Sequence, residues 1–442
     1  MDIFNTVVWW LNIFFIVLVG IAFIFQILFM FIFYIPCKKY KDTKNLHKFT
    51  FIIRAHNEED VIRDSVESCM KVDYPKELVQ VIVFAHNCSD NTAKIAKECG
   101  ARVVEINDPN PKHAKLSYCI KGGMEELKKD GEGAHEYFLF LDADMQVRAD
   151  YVKECNKAAD SGVKLGRTFE NSRNLTSNIV SCSMGLWYIR DNFFACRMRS
   201  ALNLGCVMNG GCAMLKSDLA FNWDCTSASE DIEFTINRLY KDHIKVEYID
   251  DAIVYEDQPE TMRDVYNRNT RMGNGINKVF WHSGMKLLKQ FFKDLFKKDV
   301  KFSTKMAELD MFLNAYTIPA SLIAEIWFPI YYIYAFIYTI FFGNMNVYQA
   351  FGIPMQSYSW MFYLIFCAIA LAACYFIPFF FQPAISYVFT KEKLVIKNRK
   401  TMILSILGFP FFIIYNAICI MVGVLSKPSW KKIKRSKTKI EQ

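Results

Sequence analysis

The chain has 442 residues, of which 52% are hydrophobic, and a formal net charge of +8. Its basic residues gather beside the apolar segments, as in the run 431–439, which fits attraction to anionic lipid better than nucleic-acid binding. Its fourteen cysteines contain no C-x-x-C pair, and its histidines form no cluster at metal-ligand spacing. We therefore expect free thiols, without a disulfide framework or a structural zinc site.

An apolar segment long enough to cross a bilayer opens the chain. Residues 7–35 carry no charge and lack the basic start and the small-residue cleavage site of a signal peptide. Four lysines follow this segment before residue 45, and no Lys or Arg precedes it. We expect residues 1–36 to be a retained transmembrane anchor that leaves the following chain in the cytoplasm.

The polar block 48–280 is predicted to be one cytoplasmic domain, and its first half alternates strands with helices. The predicted strands are 49–54, 79–85, 102–106 and one beginning at 137. The predicted helices are 58–70, one beginning at 91, and 115–128. This alternation predicts an α/β fold with a mostly parallel sheet and crossover helices.

The stretch Tyr-Phe-Leu-Phe-Leu-Asp-Ala-Asp at 137–144 combines a buried strand with two acids. Ligands of open α/β sheets bind beyond the carboxyl ends of the strands, where Asp142 and Asp144 would lie. Two carboxylates at that edge suit a hard divalent cation that bridges to phosphate oxygens. The pattern therefore indicates a phosphate-activated substrate, and a strand-end cap or turn is the alternative role for either aspartate.

An amphipathic segment separates the polar block from the last third of the chain. Its apolar positions are Met285, Leu288, Phe291, Phe292, Leu295 and Phe296, with five lysines among the other positions up to residue 298. This spacing predicts a helix within 281–305 that lies in the membrane interface. An ordinary amphipathic helix packed on the domain is the alternative.

Three further apolar segments lie within 311–425 and are predicted to cross the membrane. They are approximately 311–342, 358–385 and 401–425. A transporter would be expected to carry ionisable residues within its spans. Glu325 is the only charged residue between 311 and 342, so the pattern does not favour a transporter.

The basic residues of the loops give conflicting orientations for the last segment. The loop 343–357 has no Lys or Arg and should be external, whereas the loop 391–400 and the basic tail 426–442 should both be internal. A simple crossing by 401–425 would place the tail outside. Because Pro410 lies near the middle of this segment, a broken or re-entrant segment is the alternative.

Five short motifs follow one another in an order that resembles a known family. They are His56-Asn57-Glu58-Glu59, Asn87-Cys88-Ser89-Asp90-Asn91-Thr92, Asp142-Ala143-Asp144, Ser229-Glu230-Asp231 and Arg268-Asn269-Thr270-Arg271-Met272. In this order and membrane layout the chain resembles the membrane-integrated glycosyltransferases of family 2, which include cellulose, hyaluronan and poly-N-acetylglucosamine synthases. The resemblance implies a GT-A-like cytoplasmic domain flanked by transmembrane helices. It also implies that a sugar is transferred from a nucleoside diphosphate sugar, for which a UDP-sugar is the first choice.

The resemblance also implies a role for individual residues. Asp231, with Glu230, would be the catalytic pair, and Asp142 and Asp144 would hold Mg²⁺ or Mn²⁺. The donor would contact Asn57, Glu58, His86, Asp90, Lys115, Asp142, Arg268 and Arg271. The acceptor would lie near Met272 and Gly211.

Some of these residues also have structural explanations. Ser227 and Glu230 have the spacing of a capping box, and acidic residues are favoured at a helix start, so Asp231 could belong to a helix cap. A guanidinium suits bidentate contact with phosphate, but Arg268 and Arg271 could equally form a solvated basic turn of helix.

The chain departs from the family pattern at three places. His86 stands where an acidic residue commonly contacts the nucleoside, and Lys112-His113-Ala114-Lys115 replaces a Gly-Lys segment. Met272 replaces a tryptophan that helps to hold the acceptor sugar in polymerising relatives. The sequence therefore leaves open polysaccharide synthesis, transfer of one sugar to a lipid acceptor, and a non-catalytic partner subunit.

Overall fold

The computed structural model describes residues 3–342, except 111, 112, 114 and 132, and also 365, 369 and 375–426. The loop predicted at 343–357, most of the first part of the segment predicted at 358–385, and the basic tail beyond residue 426 lie outside these residues. Lys112 and Ala114 of the altered Gly-Lys segment also lie outside them.

Eight strands form one mixed sheet in the order β3-β2-β1-β4-β7-β6-β8-β5. The strands are β1 Phe49–Ala55, β2 Val79–His86, β3 Arg102–Ile106, β4 Tyr137–Asp142, β5 Gln146–Val147, β6 Leu165–Ser172, β7 Ala213–Lys216 and β8 Glu247–Glu256. Neighbours among β1 to β4 are parallel, as are β6 and β8, whereas β7 is antiparallel to both β4 and β6, and β5 to β8. The predicted α/β fold is confirmed, with its parallel half in the first part of the chain.

Fifteen α-helices lie in the described residues. The first eight are α1 Ile3–Ala22, α2 Ile24–Phe31, α3 Ile62–Met70, α4 Thr92–Glu98, α5 Leu116–Leu127, α6 Tyr151–Asp160, α7 Ile179–Arg190 and α8 Met198–Ala201. The others are α9 Ser217–Phe221, α10 Glu230–Asp242, α11 Met262–Val279, α12 Met285–Asp294, α13 Phe302–Phe342, α14 Ile377–Thr390 and α15 Arg399–Leu425. The helix predicted at 58–70 begins later, at Ile62, because residues 58–61 form a turn in which the Val61 N–H donates to the Glu58 carbonyl.

The sheet is buried on both faces, which explains the unbroken apolar runs in its strands. Alternate residues of β1 enter two different core clusters: Phe51 and Ile53 pack in one, and Ile52 in the other. In β4 the five residues 137–141 are buried, as the sequence predicts. Because both faces of the sheet are covered, the functional groups of this half of the sheet are confined to the ends of the strands.

Two helices of the described chain are long and apolar enough to cross a membrane, namely Phe302–Tyr334 within α13 and the whole of α15. The apolar segment predicted as one amino-terminal span is instead a bent pair, with 57° between α1 and α2, and it counts as a third candidate only if the pair crosses as one span. α15 runs unbroken through Pro410 over about 40 Å, so the broken segment considered for 401–425 is not what the structure has.

The amphipathic segment forms α12 and the turn at 295–296 that follows it, and its apolar side chains divide between buried and exposed positions. Leu287 and Phe291 are buried against the protein, whereas Phe292 and Phe296 are exposed, the latter by 86%. Phe291, predicted to lie on the same apolar stripe as Phe292 and Phe296, therefore packs inward. The exposed apolar face borders the lysines, as in helices that lie in a membrane interface. That location remains a prediction.

A close crossing joins α11 to α15. A Cβ atom at Gly273 would overlap the Ile420 carbonyl, and a Cβ atom at Gly423 would overlap the Thr270 carbonyl. The Asn274 side chain donates to the Gly423 carbonyl at 3.2 Å, so the two backbones are also hydrogen-bonded through a side chain. Glycine is therefore required at this contact, because it lets two helices approach to backbone distance.

Replacement of Gly423 by alanine should destabilise the protein by about 1–3 kcal/mol, because the new methyl group meets backbone that cannot move aside. The matched control is Gly408→Ala in the same helix, where an added Cβ meets nothing within 4 Å. That control should be neutral or stabilising by up to about 1 kcal/mol. Thermal unfolding in detergent measures both, and equal unfolding temperatures for the two variants would contradict the crossing.

Candidate active site

The centre of the site is Arg54, a fully buried guanidinium at the end of β1. Its Nη2 lies 2.5 Å from Oδ1 of Asp142, and its Nη1 lies 3.3 Å from Oε1 of Glu230. Asp142 ends β4, which pairs with β1 in parallel register, whereas Glu230 begins α10. One cation thus joins the two acidic motifs that lie 88 residues apart in the chain.

α10 places Asp231 in its first turn, as predicted. The helix begins at Glu230 with Ser229 as N-cap, and no side-chain hydrogen bond caps it. The Ser227 capping box considered from the sequence is wrong, because the Ser227 N–H instead donates to the Glu233 carboxylate at 2.8 Å. Glu230 and Asp231 are therefore not used as partners of a Ser227 cap.

The environment of this pair raises the pKa of both carboxyl groups. Burial raises the pKa of Glu230 to about 8, and the charge of Asp231 adds to that effect while Arg54 opposes it. Removal from bulk water also raises the pKa of Asp231, although the N–H groups of Ile232 and Gly210 lower it. A carboxylate with a raised pKa accepts a proton more readily, which suits a general base.

The glycine segment packs closely against these acids. An added Cβ at Gly210 would lie 3.0 Å from Nη1 of Arg54, and one at Gly211 would overlap the Met145 side chain and lie 3.0 Å from Oδ2 of Asp142. Asp144, two residues after the end of β4, is only 2% exposed. Asp142 and Asp144 offer hard carboxylate oxygens at the end of β4, and this donor set fits Mg²⁺ or Mn²⁺.

The loops after β1 and β2, which carry the first two motifs, are hydrogen-bonded to each other. Oδ1 of Asn57 accepts from the Ser89 N–H at 2.8 Å, and the Glu58 N–H donates to Oγ1 of Thr92 at 2.8 Å. Asn57 adopts a left-handed backbone with φ of 56°, which asparagine tolerates better than most residues. This conformation turns the chain at the carboxyl end of the sheet.

Asp90 stabilises the same pair of loops. Its Oδ2 accepts from the Glu59 N–H at 3.2 Å, and its Oδ1 accepts from the Thr92 N–H at 3.0 Å. In return, Glu59 accepts from the Asn91 N–H at 3.1 Å. Asp90 therefore has a structural function in addition to the donor contact predicted for it.

The next two residues predicted to contact the donor are His86, at the end of β2, and Lys115, directly before α5. His86 ends β2 in a buried position, and burial followed by the nearby His56 lowers its pKa, which favours the neutral imidazole. Among the described residues, none makes a hydrogen bond with Nε2 of His86. Lys115 precedes α5, and its Nζ donates to the Thr226 carbonyl at 3.1 Å, within the segment that leads to α10.

Arg268 is held in a buried network. Its Nη2 donates to both carboxylate oxygens of Glu256, at 2.9 and 3.1 Å, and to the Tyr188 hydroxyl at 2.6 Å, while its Nη1 donates to Gln258 at 3.3 Å. Contact with a diphosphate would require this guanidinium to leave Glu256. The solvated turn considered from the sequence is wrong for Arg268, and its donor contact remains a prediction.

Arg271 and Met272 lie one turn further along α11, and both are partly exposed. α11 also touches the Ser229-Glu230-Asp231 motif directly, because a Cβ at Gly275 would overlap the side chain of Ser229. The helix that carries the last motif is therefore packed against the start of α10, and Gly275 is the residue that permits this approach.

Sequence reasoning missed Arg54 and the acidic pair Glu170 and Glu256. Burial, followed by the Glu256 charge, raises the pKa of Glu170 well above its ordinary value. Asn209 connects this pair to the glycine segment, since its side chain donates to Glu170 and accepts from the Gly211 N–H. The available signal for Arg54 was a single charge inside the apolar run 49–55, directly before the first motif.

Comparisons with known proteins agree with this arrangement. The model of Glycosyl transferase family group 2 matches residues 137–418, and that of Glycosyl transferase family 2 matches residues 50–220. The chain is 26% identical over 273 residues to the probable glycosyltransferase YdaM of Bacillus subtilis (strain 168), across 57% of this chain and 60% of that protein. It is 24% identical over 260 residues to the poly-beta-1,6-N-acetyl-D-glucosamine synthase of Staphylococcus aureus, across 57% and 58% respectively. The chain thus spans about three-fifths of the length of these curated relatives.

A solved structure shares the fold over nearly the whole chain. The mannosyltransferase of Pyrobaculum calidifontis, in complex with GDP-Man and Mn²⁺, superposes with a TM-score of 0.55 at 13% sequence identity. The match covers 94% of this chain and 99% of that one. At this identity the likeness concerns the fold alone, and it confirms the GT-A-like mixed sheet that the sequence resemblance implies.

Removal of the Arg54 guanidinium should lower the stability of the protein. Arg54→Ala leaves Asp142 and Glu230 without their shared partner, so the free energy of unfolding should fall by about 3–5 kcal/mol. Arg63→Ala is the matched control, because the Arg63 side chain is 48% exposed beside Glu98. Its replacement should lower the free energy of unfolding by about 1 kcal/mol or less. Denaturant titration in detergent measures both, and a loss for Arg54→Ala no larger than for Arg63→Ala would contradict the central role of this ion pair.

Proposed function

The chain belongs to glycosyltransferase family 2, and on that premise we propose that it is a membrane-bound, inverting hexosyltransferase acting on a cell-surface glycan or polysaccharide. The donor would be a nucleoside diphosphate sugar. The observation that carries the proposal is the meeting of Asp142 with Glu230, next to Asp144 and Asp231, around Arg54. This arrangement brings ligands for a diphosphate-bound cation next to a base for an acceptor hydroxyl.

Asp144, helped by Asp142, would hold Mg²⁺ or Mn²⁺, and this ion supplies positive charge to the departing diphosphate. The rest of the chemistry belongs to the protein. Arg54 holds Asp142 in one orientation through its 2.5 Å contact. Gly211 lets the Met145 side chain and the Asp142 carboxylate pack directly against its backbone.

The transfer step is a direct displacement. The acceptor hydroxyl oxygen forms a bond to the anomeric carbon, and the bond from that carbon to the diphosphate oxygen breaks, with its electron pair leaving on the diphosphate. The hydroxyl proton passes to the Asp231 carboxylate. Because attack comes from the face opposite the leaving group, the configuration at the anomeric carbon is inverted. The Gly210 N–H donates to Oδ2 of Asp231 at 3.4 Å, which orients the base.

The donor would lie against the carboxyl ends of β1 and β2, where ligands of α/β sheets bind. A neutral His86 can hydrogen-bond a nucleoside base or ribose. The diphosphate would contact Lys115 and Arg271, whereas contact with Arg268 would require its guanidinium to leave Glu256. Asn57, Glu58 and Asp90 would act mainly by shaping the loops.

The catalytic domain would lie on the cytoplasmic side of the membrane. The lysines that follow residue 36 support this orientation. The exposed apolar face of α12 and the candidate spans in α13 and α15 support attachment to the bilayer. Transfer at this face would give access to lipid-linked or membrane-threaded acceptors.

Transfer of a single sugar to a lipid acceptor is the second candidate function. It is favoured by Met272, because a thioether lacks the flat aromatic face on which an acceptor sugar could stack. A non-catalytic partner subunit is less favoured, since both the metal-binding Asp144 and the base Asp231 are present.

Donor turnover tests the proposal. The protein, purified in detergent, is offered UDP- and GDP-sugars with Mg²⁺ or Mn²⁺ and a membrane lipid extract, and nucleotide release is recorded. Asp231→Asn and Asp144→Asn should each lower the rate by about 100-fold or more, whereas Asp73→Asn, which removes a 68% exposed carboxylate, should not. Product size then separates polymer from glycolipid. Donor binding without metal-dependent release from any sugar would instead favour the partner subunit.

The rate should depend on pH through the base. Since Asp231 must be deprotonated to act, kcat should rise with pH, with its ascending limb above the ordinary aspartate pKa of about 3.9. Because the pKa of Glu230 is raised to about 8, its carboxyl group is protonated while Asp231 titrates, so Glu230→Gln should leave the ascending limb in place. Rate profiles of the two proteins check this expectation, and a limb at the ordinary aspartate value in the unaltered protein would refute the assigned environment.

A further inference from the structure

Three side chains of metal-ligand type meet at the opposite end of α10 from the catalytic acids. They are His243, directly after α10, Asp294, the last residue of α12, and Glu308, near the start of α13. Their ligand atoms all lie within 4.8 Å of one another. Nε2 of His243 is 3.0 Å from Oδ2 of Asp294 and 3.7 Å from Oε1 of Glu308.

Glu308 is the member that calls for an explanation. Its side chain is fully buried, yet neither carboxylate oxygen has a hydrogen-bond partner among the described residues. Burial of an unsatisfied carboxylate is strongly unfavourable unless a cation or a proton compensates it. Nε2 of His243 lies 3.7 Å from Oε1 of Glu308, which is too far for a hydrogen bond.

The arrangement of donor atoms agrees with zinc. Bonds of about 2.0–2.1 Å at tetrahedral angles separate neighbouring ligand atoms by about 3.4 Å, and the two distances from His243 fall on either side of that value. One imidazole with two carboxylates suits Zn²⁺ better than Ca²⁺ or Mg²⁺, which prefer six or more oxygen ligands. The His243 side chain is 38% exposed, which provides an entry path for the ion.

We propose that His243, Asp294 and Glu308 form a structural Zn²⁺ site that fastens the end of the catalytic helix to the amphipathic helix and to a candidate membrane helix. The site lies about 18 Å along α10 from Asp231, so it is separate from the metal pair at Asp142 and Asp144. It would hold α10 relative to the membrane segments while Glu230 and Asp231 act at its other end.

The charges around the site leave room for a divalent cation. Lys297 lies 2.7 Å from Oδ1 of Asp294, and Gln290 donates to Oδ2 of the same carboxylate at 2.7 Å. One lysine balances only one of the two buried carboxylates. Lys297 is 48% exposed and can turn toward solvent, whereas Gln290 can keep Asp294 oriented as a ligand.

Metal content of the full chain tests the site. The protein is purified in detergent without a polyhistidine tag, stripped with a chelator, incubated with Zn²⁺ and desalted, and its zinc is measured by elemental analysis. His243→Asn removes the imidazole but tolerates the left-handed backbone of this residue, whose φ is 53°. Glu308→Gln removes the charge at nearly constant volume. His282→Asn, at an exposed histidine that is hydrogen-bonded to Lys286, is the matched control.

We expect about one zinc ion per chain in the unaltered protein and in His282→Asn, with retention falling at least tenfold in His243→Asn and Glu308→Gln. Zinc should also raise the unfolding temperature of the unaltered protein but not of those two variants, which guards against loss of zinc through misfolding. Asp144→Asn should retain the ion. Equal zinc in all variants, loss of zinc in Asp144→Asn alone, or no zinc in the unaltered protein would each overturn the proposal. None of these readouts requires sugar transfer, so the result is independent of the proposed function.

Discussion

The buried guanidinium of Arg54 is the interaction on which the rest of the site depends. It lies at the end of β1 and contacts both Asp142, from the neighbouring strand, and Glu230, from a helix that follows much later in the chain. Carboxylates this close would repel one another in a buried setting, and the cation makes their proximity tolerable. The same cation requires Gly210 beside it, because a side chain there would crowd Nη1 and Nη2. Strand, helix and glycine segment are therefore positioned by one charge.

A second constraint connects this centre to the candidate membrane helices. α11 approaches the start of α10 through Gly275 and approaches α15 through Gly273 and Gly423. The helix that carries Arg271 and Met272 is thus packed between the Ser229-Glu230-Asp231 motif and an apolar helix long enough to span a bilayer. Backbone contacts of this kind do not deform gradually. The geometry of the site is consequently coupled to the way the apolar helices pack, which suits chemistry at a membrane surface.

Most local structure could be predicted because it depends on periodicity and on turn residues close in sequence. β3 has the predicted bounds, α5 begins one residue after the predicted Lys115, and Asp231 lies in the first turn of its helix. The failure of the predicted Ser227 cap has a local physical cause, because Glu233 accepts the Ser227 N–H. The first apolar segment bends between α1 and α2, a feature that its uniform composition does not encode. Hydropathy reports that a segment is apolar but not whether it is straight.

The sequence by itself determined the alternation of strands and helices, the apolar segments and the order of the five motifs, since each is encoded in neighbouring residues. Tertiary structure decided which charges meet. The engagement of Arg268 by Glu256, the pairing of Glu256 with Glu170, and the convergence of His243, Asp294 and Glu308 join residues that are separated by 12 to 86 positions. The sequence shows no metal-ligand spacing for these three residues because His243 follows α10, Asp294 ends α12 and Glu308 lies in α13. Distances between such residues depend on the path of the whole chain, which local patterns do not specify.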